Sequence, residues 1–131
     1  MAFIYYLTHI HLDFGTIGQL KAECERIGIR RPLVVTDKGV VAAGVARQAI
    51  DALGGLPHEL FDETPSNPTE AMVKKAAAQY RESGCDGLVA VGGGSSIDLA
   101  KGIAILATHP GELTTYATIE GGSGKITERA A

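Results

Sequence analysis

The segment Leu88-Val89-Ala90-Val91-Gly92-Gly93-Gly94-Ser95-Ser96-Ile97-Asp98-Leu99-Ala100-Lys101 joins an apolar run to three glycines and then to a helix-forming stretch. Four consecutive apolar residues read as a buried strand, the glycines as a turn, and the residues from Ser96 onward as a helix. Glycine lets an anionic ligand approach the main chain, because no Cβ stands in the way. The first amides of a helix lack intrahelical acceptors and carry the positive end of its dipole. A plain strand-to-helix turn needs one glycine, whereas here Gly92, Gly93 and Gly94 are followed by Ser95 and Ser96. The combination predicts a phosphate site at the helix start. It is not the G-x-G-x-x-G fingerprint, so the motif alone names no dinucleotide.

Working outward, Pro32-Leu33-Val34-Val35-Thr36-Asp37 and Glu59-Leu60-Phe61 read as two further strands, the first nearly all apolar, as when helices cover both sheet faces. Between them, Val41, Val45, Ala49 and Leu53 predict one helix ended by Gly54-Gly55. Asn67 is placed to cap the next helix, with Pro68 in its first position, Glu70 as the capping-box acid, and Met72, Val73, Ala76, Ala77 and Tyr80 inward. The last helix, Ser96 to Ala107, is expected to turn Ile97, Ala100, Ile103, Ala104 and Ala107 to the core. Upstream, Phe3 to Leu7 and Ile10, Leu12 and Phe14 read as short strands. Thr16 with Gln19 reads as a capping box for a helix bearing Ile17, Leu20, Cys24 and Ile27, stopped at Gly28. Strands alternating with helices near the ~30-residue spacing of βαβ units give an α/β fold with a doubly wound, mainly parallel sheet. The tail from His109 to Ala131 has no strong period, and the chain is expected to stop short of a domain ending.

At 131 residues the chain has the size of one domain, 1–131. Its net charge of −3, with no Lys/Arg cluster, argues against nucleic-acid and anionic-membrane partners. No run approaches the ~20 apolar residues of a membrane span. Cys24 and Cys85 make no disulfide framework; both read as buried small hydrophobes, and reduced thiols point to the cytoplasm. His9 and His11, two apart, lack the converging partners of a metal site and read as surface residues, as do His58 and His109.

Three further residues carry alternatives. Asp37 falls at the carboxyl end of its strand, where ligands bind in open α/β sheets. It can accept hydrogen bonds from ribose hydroxyls, or it is an exposed turn residue before Lys38-Gly39. In the first case it disfavours a 2′-phosphate, since like charges ~4 Å apart cost about 4 kcal/mol at an effective dielectric of ~20. That favours NAD over NADP. Asn67 is either a helix cap or a ligand contact. Asp98, the third residue after Ser95, is either a capping-box acid or a contact to a ligand hydroxyl or amide.

Asp13-Phe14-Gly15, Val35-Thr36-Asp37, Phe61-Asp62 with Ser66-Asn67-Pro68-Thr69, and the block Asp86 to Lys101 together resemble the iron-containing (group III) alcohol dehydrogenase family. The resemblance implies an N-terminal dinucleotide-binding domain, of the architecture shared with dehydroquinate synthase, followed by an all-helical metal domain. By position, Asp37 contacts the adenosine ribose, Asn67 lines the cofactor cleft, and Gly92 to Ser95, Ser96 and Asp98 hold the pyrophosphate. It further implies oxidation of alcohols or reduction of aldehydes and ketones with NAD(P), Fe2+ or Zn2+ as Lewis acid, and a homodimer. The family's metal ligands, an Asp and three His, have no counterpart in this sequence, so the metal domain is expected to lie outside it and the chain alone to be inactive. Two other readings stand behind this one: the cofactor domain of a sugar-phosphate cyclase, and a stand-alone nucleotide-binding module.

Overall fold

The computed structural model describes residues 11–108. Strand β1, Pro32–Val35, lies between β2, Glu59–Phe61, and β3, Gly87–Ala90, and pairs in parallel with both. The helices are α1 (Leu20–Ile27), α2 (Lys38–Ala42), α3 (Val45–Ala52), α4 (Glu70–Glu82) and α5 (Gly94–Leu106). Successive side chains of a strand point to opposite faces, and β1 uses both. Leu33 and Val35, with Phe61, pack against Val73, Ala76, Ala77 and Tyr80 of α4 and Leu99, Ala100, Ile103 and Leu106 of α5. Val34 packs the other way, with Cys24 of α1, Ile29, Ala49 of α3 and Leu53. The sheet is therefore covered on both sides, as the continuous apolar character of β1 predicts.

At the opposite end from the carboxyl ends of the strands, the Asp86 carboxylate accepts from the main-chain N–H groups of Arg30 and Arg31, at 2.7–3.0 Å. Arg31 in turn pairs with Glu59 at 2.5 Å. These contacts pin the amino ends of β1, β2 and β3 in register.

The structure departs from several local expectations. Leu12 and Phe14 form no strand and are 93% and 102% exposed; Phe3 to Leu7 and Ile10 lie outside the described residues. Thr16–Gln19 is a 3-10 turn entered through Gly15 (φ 72°) with no side-chain cap, so the expected Thr16/Gln19 box is absent and α1 begins at Leu20. Ile17 and Ile27 stay exposed; Cys24 alone is buried in α1. The helix expected through Val41 and Leu53 is two, α2 and α3. Gly44, at φ 82°, turns the chain between them, which leaves Val41 and Val45 about two-fifths exposed.

Helix α4 is capped by Thr69, whose hydroxyl accepts from Met72 N at 3.2 Å, not by Asn67, and Pro68 stands before the cap. Ser95 Oγ donates to Ser66 O at 2.6 Å, which fixes the loop beside Asn67 against α5 and delays the helix start. Helix α5 begins at Gly94, two residues earlier than expected, with Gly93 as an N-cap that offers no side chain. Ile97 is 43% exposed while Leu99 is fully buried. Cys85 is half-buried, not enclosed. The tail from His109 lies outside the described residues.

Candidate functional site

The carboxyl ends of the three strands meet at one residue that sequence reasoning passed over. Thr36, fully buried, donates its hydroxyl to Val91 O at 2.8 Å and its N–H to Phe61 O at 2.8 Å, and accepts from Thr64 N at 3.3 Å. Val91 N closes the frame on Val35 O at 2.9 Å. A threonine at the end of an otherwise apolar strand was the available signal, because a buried hydroxyl needs a partner.

This frame sets the glycine turn. Gly92 has φ 132°, which side-chain-bearing residues rarely adopt, and a Cβ there would stand 3.2 Å from Val40 Cγ2 and 3.5 Å from Ser96 Oγ. Gly92 is thus required by the protein itself. Gly93 and Gly94 differ: both have ordinary negative-φ geometry, and a Cβ at either meets nothing within 4 Å. Among the described residues, the N–H groups of Gly93, Gly94, Ser95 and Ser96 find no acceptor. Those of Gly93, Gly94 and Ser95 thus stand open at the positive end of a 13-residue helix, while that of the fully buried Ser96 is enclosed.

In front of them lies a cleft of about 710 Å³, a size ordinary for a small-ligand site. Asp37, Thr64, Ser66, Gly93, Gly94 and Ser95 are among its lining residues. Asp37 caps α2 by accepting from Val40 N at 2.8 Å through Oδ1, while Oδ2 stands 3.9 Å from where a Gly92 Cβ would be. Asp37 is thus a half-buried helix cap and not the exposed turn residue of the alternative reading, and its second oxygen is not used by the cap. Nearby cations are already engaged: Lys38 reaches Asp62 at 3.4 Å and Lys75 reaches Glu63 at 2.9 Å.

Of the residues singled out from sequence, Asp37, Gly93, Gly94 and Ser95 come together on the cleft wall, while the exposed Gly92 and the buried Ser96 adjoin them in the chain without lining it. The Ser95 hydroxyl is committed to Ser66, so its amide is the group left for a ligand. Asn67 and Asp98 are exposed and do not line the cleft, and Asp98 joins no capping box with Ser95, since the cap is Gly93. Among the described residues no group of three or more His, Cys, Asp and Glu side chains is placed to hold a metal ion. His11 is instead bonded to Glu23 at 3.1 Å, and His58 Nδ1 to Leu56 O at 3.1 Å. No helix among the described residues is long and apolar enough to cross a membrane.

Comparison with known proteins agrees with this geometry. Residues 8–131 match the family model described as iron-containing alcohol dehydrogenase. The chain is 84% identical over 131 residues to the 4-hydroxybutyrate dehydrogenase of Cupriavidus necator, covering all of this chain and 34% of that protein. Among solved structures, an NADH-dependent butanol dehydrogenase A from Thermotoga maritima superposes with a TM-score of 0.78 at 28% identity, over 88% of this chain and 30% of that one. A sulfoacetaldehyde reductase from Bifidobacterium kashiwanohense in complex with NAD+ gives 0.71 at 30% identity, over 78% and 27%. The chain thus spans about a third of the length of the relatives it matches. With the family's strand-glycine-helix block set at the carboxyl end of a doubly wound parallel sheet, this chain belongs to the iron-containing alcohol dehydrogenase family.

Proposed function

We propose that this chain is the dinucleotide-binding part of an NAD- and metal-dependent dehydrogenase that interconverts a small primary alcohol and its aldehyde. The observation that carries the cofactor assignment is the pair Gly93 and Gly94. Nothing in the protein requires glycine at either place, yet each bares an unengaged amide toward the cleft. A diphosphate is the ligand that this shape and polarity suit. Asp37 Oδ2 is then free to accept from an adenosine ribose, and its charge opposes a 2′-phosphate, so NAD is preferred over NADP. Asn67 and Asp98 are proposed to reach the cofactor from the rim.

Bound NAD+ supplies the hydride acceptor. In the oxidation, two electrons and one proton leave the carbinol carbon as hydride, the hydroxyl proton is released, and a carbonyl forms. The described residues fit the nucleotide but not a metal, so Fe2+ or Zn2+ is proposed to be held by residues outside them, and no step is derived through it. The high identity to a 4-hydroxybutyrate dehydrogenase makes 4-hydroxybutyrate the proposed substrate. Two free cysteines are consistent with a cytoplasmic setting, and exposed Leu12 and Phe14 with a homodimer.

The test is a titration of the native polypeptide with NADH and NADPH, before and after Asp37→Asn. Asparagine caps a helix as well as aspartate does but carries no charge. The expected result is tighter binding of NADH by the unsubstituted protein, and a preference shifted toward NADPH by tenfold or more in the variant. An unchanged preference refutes the ribose assignment; absence of NADH binding refutes the cofactor assignment. Formation of NADH on adding NAD+ and 4-hydroxybutyrate tests the substrate.

A further inference from the structure

Two buried side-chain oxygens among the described residues lack any hydrogen-bond partner, Thr64 Oγ1 and Ser96 Oγ, and both lie at the carboxyl end of the sheet. A buried polar group left unpaired is costly, and native proteins carry few of them. Ser96 sits beside Gly92 and does not line the cleft. Thr64 does line it, together with Asp37, Gly93, Gly94 and Ser95, with the residue only 8% exposed. Its main chain is not loose. Thr64 N is held by Thr36 O at 3.3 Å, and the preceding residue, Glu63, bridges to Asp37. A firmly placed, cavity-lining threonine thus keeps an enclosed and unsatisfied hydroxyl, and the open amides of Gly93, Gly94 and Ser95 belong to the same cavity.

We propose that Thr64 is a cofactor-binding residue whose hydroxyl donates a hydrogen bond to a diphosphate oxygen of the nucleotide, completing from the β2 side the cradle that the α5 amides form on the other. A turn of about 120° about χ1 carries the hydroxyl from its enclosed position to the one the methyl holds, the methyl moving to that of the Cβ hydrogen, and in that rotamer the donor serves the cleft. In the free protein the hydroxyl costs stability, and with nucleotide bound it is satisfied. The inference rests on the nucleotide reading of the cleft.

Two properties of Thr64→Val and Thr64→Ser in the native polypeptide test it: the dissociation constants of NADH and ADP-ribose, and the thermal midpoint without ligand. Valine keeps the shape and removes the hydroxyl. The expected result is about tenfold weaker binding of both ligands by Thr64→Val, the worth of one hydrogen bond to a charged acceptor. Its ligand-free midpoint should be unchanged or raised, and Thr64→Ser should restore affinity. Thr64→Val binding both ligands within twofold of the unsubstituted protein overturns the proposal. So does a lowered midpoint with unchanged binding, which makes the hydroxyl a support of the fold. Should the unsubstituted protein bind neither ligand, the nucleotide reading itself fails, and Thr64 with it.

Discussion

Replacing Gly93 or Gly94 by alanine should make the protein more stable and a worse nucleotide binder at once. Gly94 is the first residue of α5, Gly93 has φ −90°, and a methyl group at either meets no atom within 4 Å. Alanine therefore fits the folded backbone without strain while restricting the unfolded chain, a gain of about 0.4–1 kcal/mol. The same methyl adds bulk at residues that line the cleft and bear its open amides. A phosphate oxygen sits about 2.9 Å from an amide nitrogen that binds it, closer than it can approach past a methyl carbon. Loss of one charge-assisted hydrogen bond costs about 1.5–3 kcal/mol, or roughly ten- to 150-fold in affinity.

Scanning fluorimetry of the native polypeptide reads the first effect and an NADH fluorescence titration the second. Gly92→Ala is the contrast. At φ 132° and with Val40 Cγ2 at 3.2 Å it should lose stability and affinity together. Gly93→Ala and Gly94→Ala variants that bind NADH as the unsubstituted protein does would refute the diphosphate assignment, whatever their stability.

Thr36→Val should cost about 1–3 kcal/mol in a denaturant titration, because it strands the buried Val91 carbonyl, and should weaken NADH binding by displacing the glycine turn. Thr69→Ala should lower stability by about 1 kcal/mol through loss of the α4 cap, whereas Asn67→Ala should leave stability unchanged and weaken NADH binding. Burial pushes the Cys24, Cys85 and Tyr80 protons to higher pH, most strongly through loss of hydration. A raised pKa in the fold means stability is fully present below the unfolded-state value and falls as pH climbs through the folded one. The thermal midpoint should therefore decline above about pH 9, the ordinary thiol value, and Cys24→Ala should flatten that decline.

How much of this was legible in the sequence follows from which signals have no rival. Leu33, Val34 and Val35 are apolar without alternation, and only a sheet covered on both faces uses all three; the three strands and their parallel order follow from their spacing. Gly44 was passed over because Val41, Val45, Ala49 and Leu53 keep four-residue spacing across it, so a break and a continuous stripe look alike. Asn67 and Thr69 are both good caps. The choice between them is made by the Ser95–Ser66 contact, a pairing 29 residues apart in sequence. Helix α5 is apolar around most of its circumference, so the pattern does not say whether Ile97 or Leu99 faces the sheet. The glycine turn and the strand-end position of Asp37 were visible because local backbone chemistry fixes them. The frame around Thr36 was not, since it exists only once three distant strands have met.

That shared anchorage has a mechanical consequence. Because a single threonine laces together the tips of β1, β2 and the segment leading into the glycine turn, neither jaw of the cleft can shift without dragging the other. The cleft therefore behaves as one stiff block. A change at this one side chain is felt on both sides of the cleft together and never on one alone.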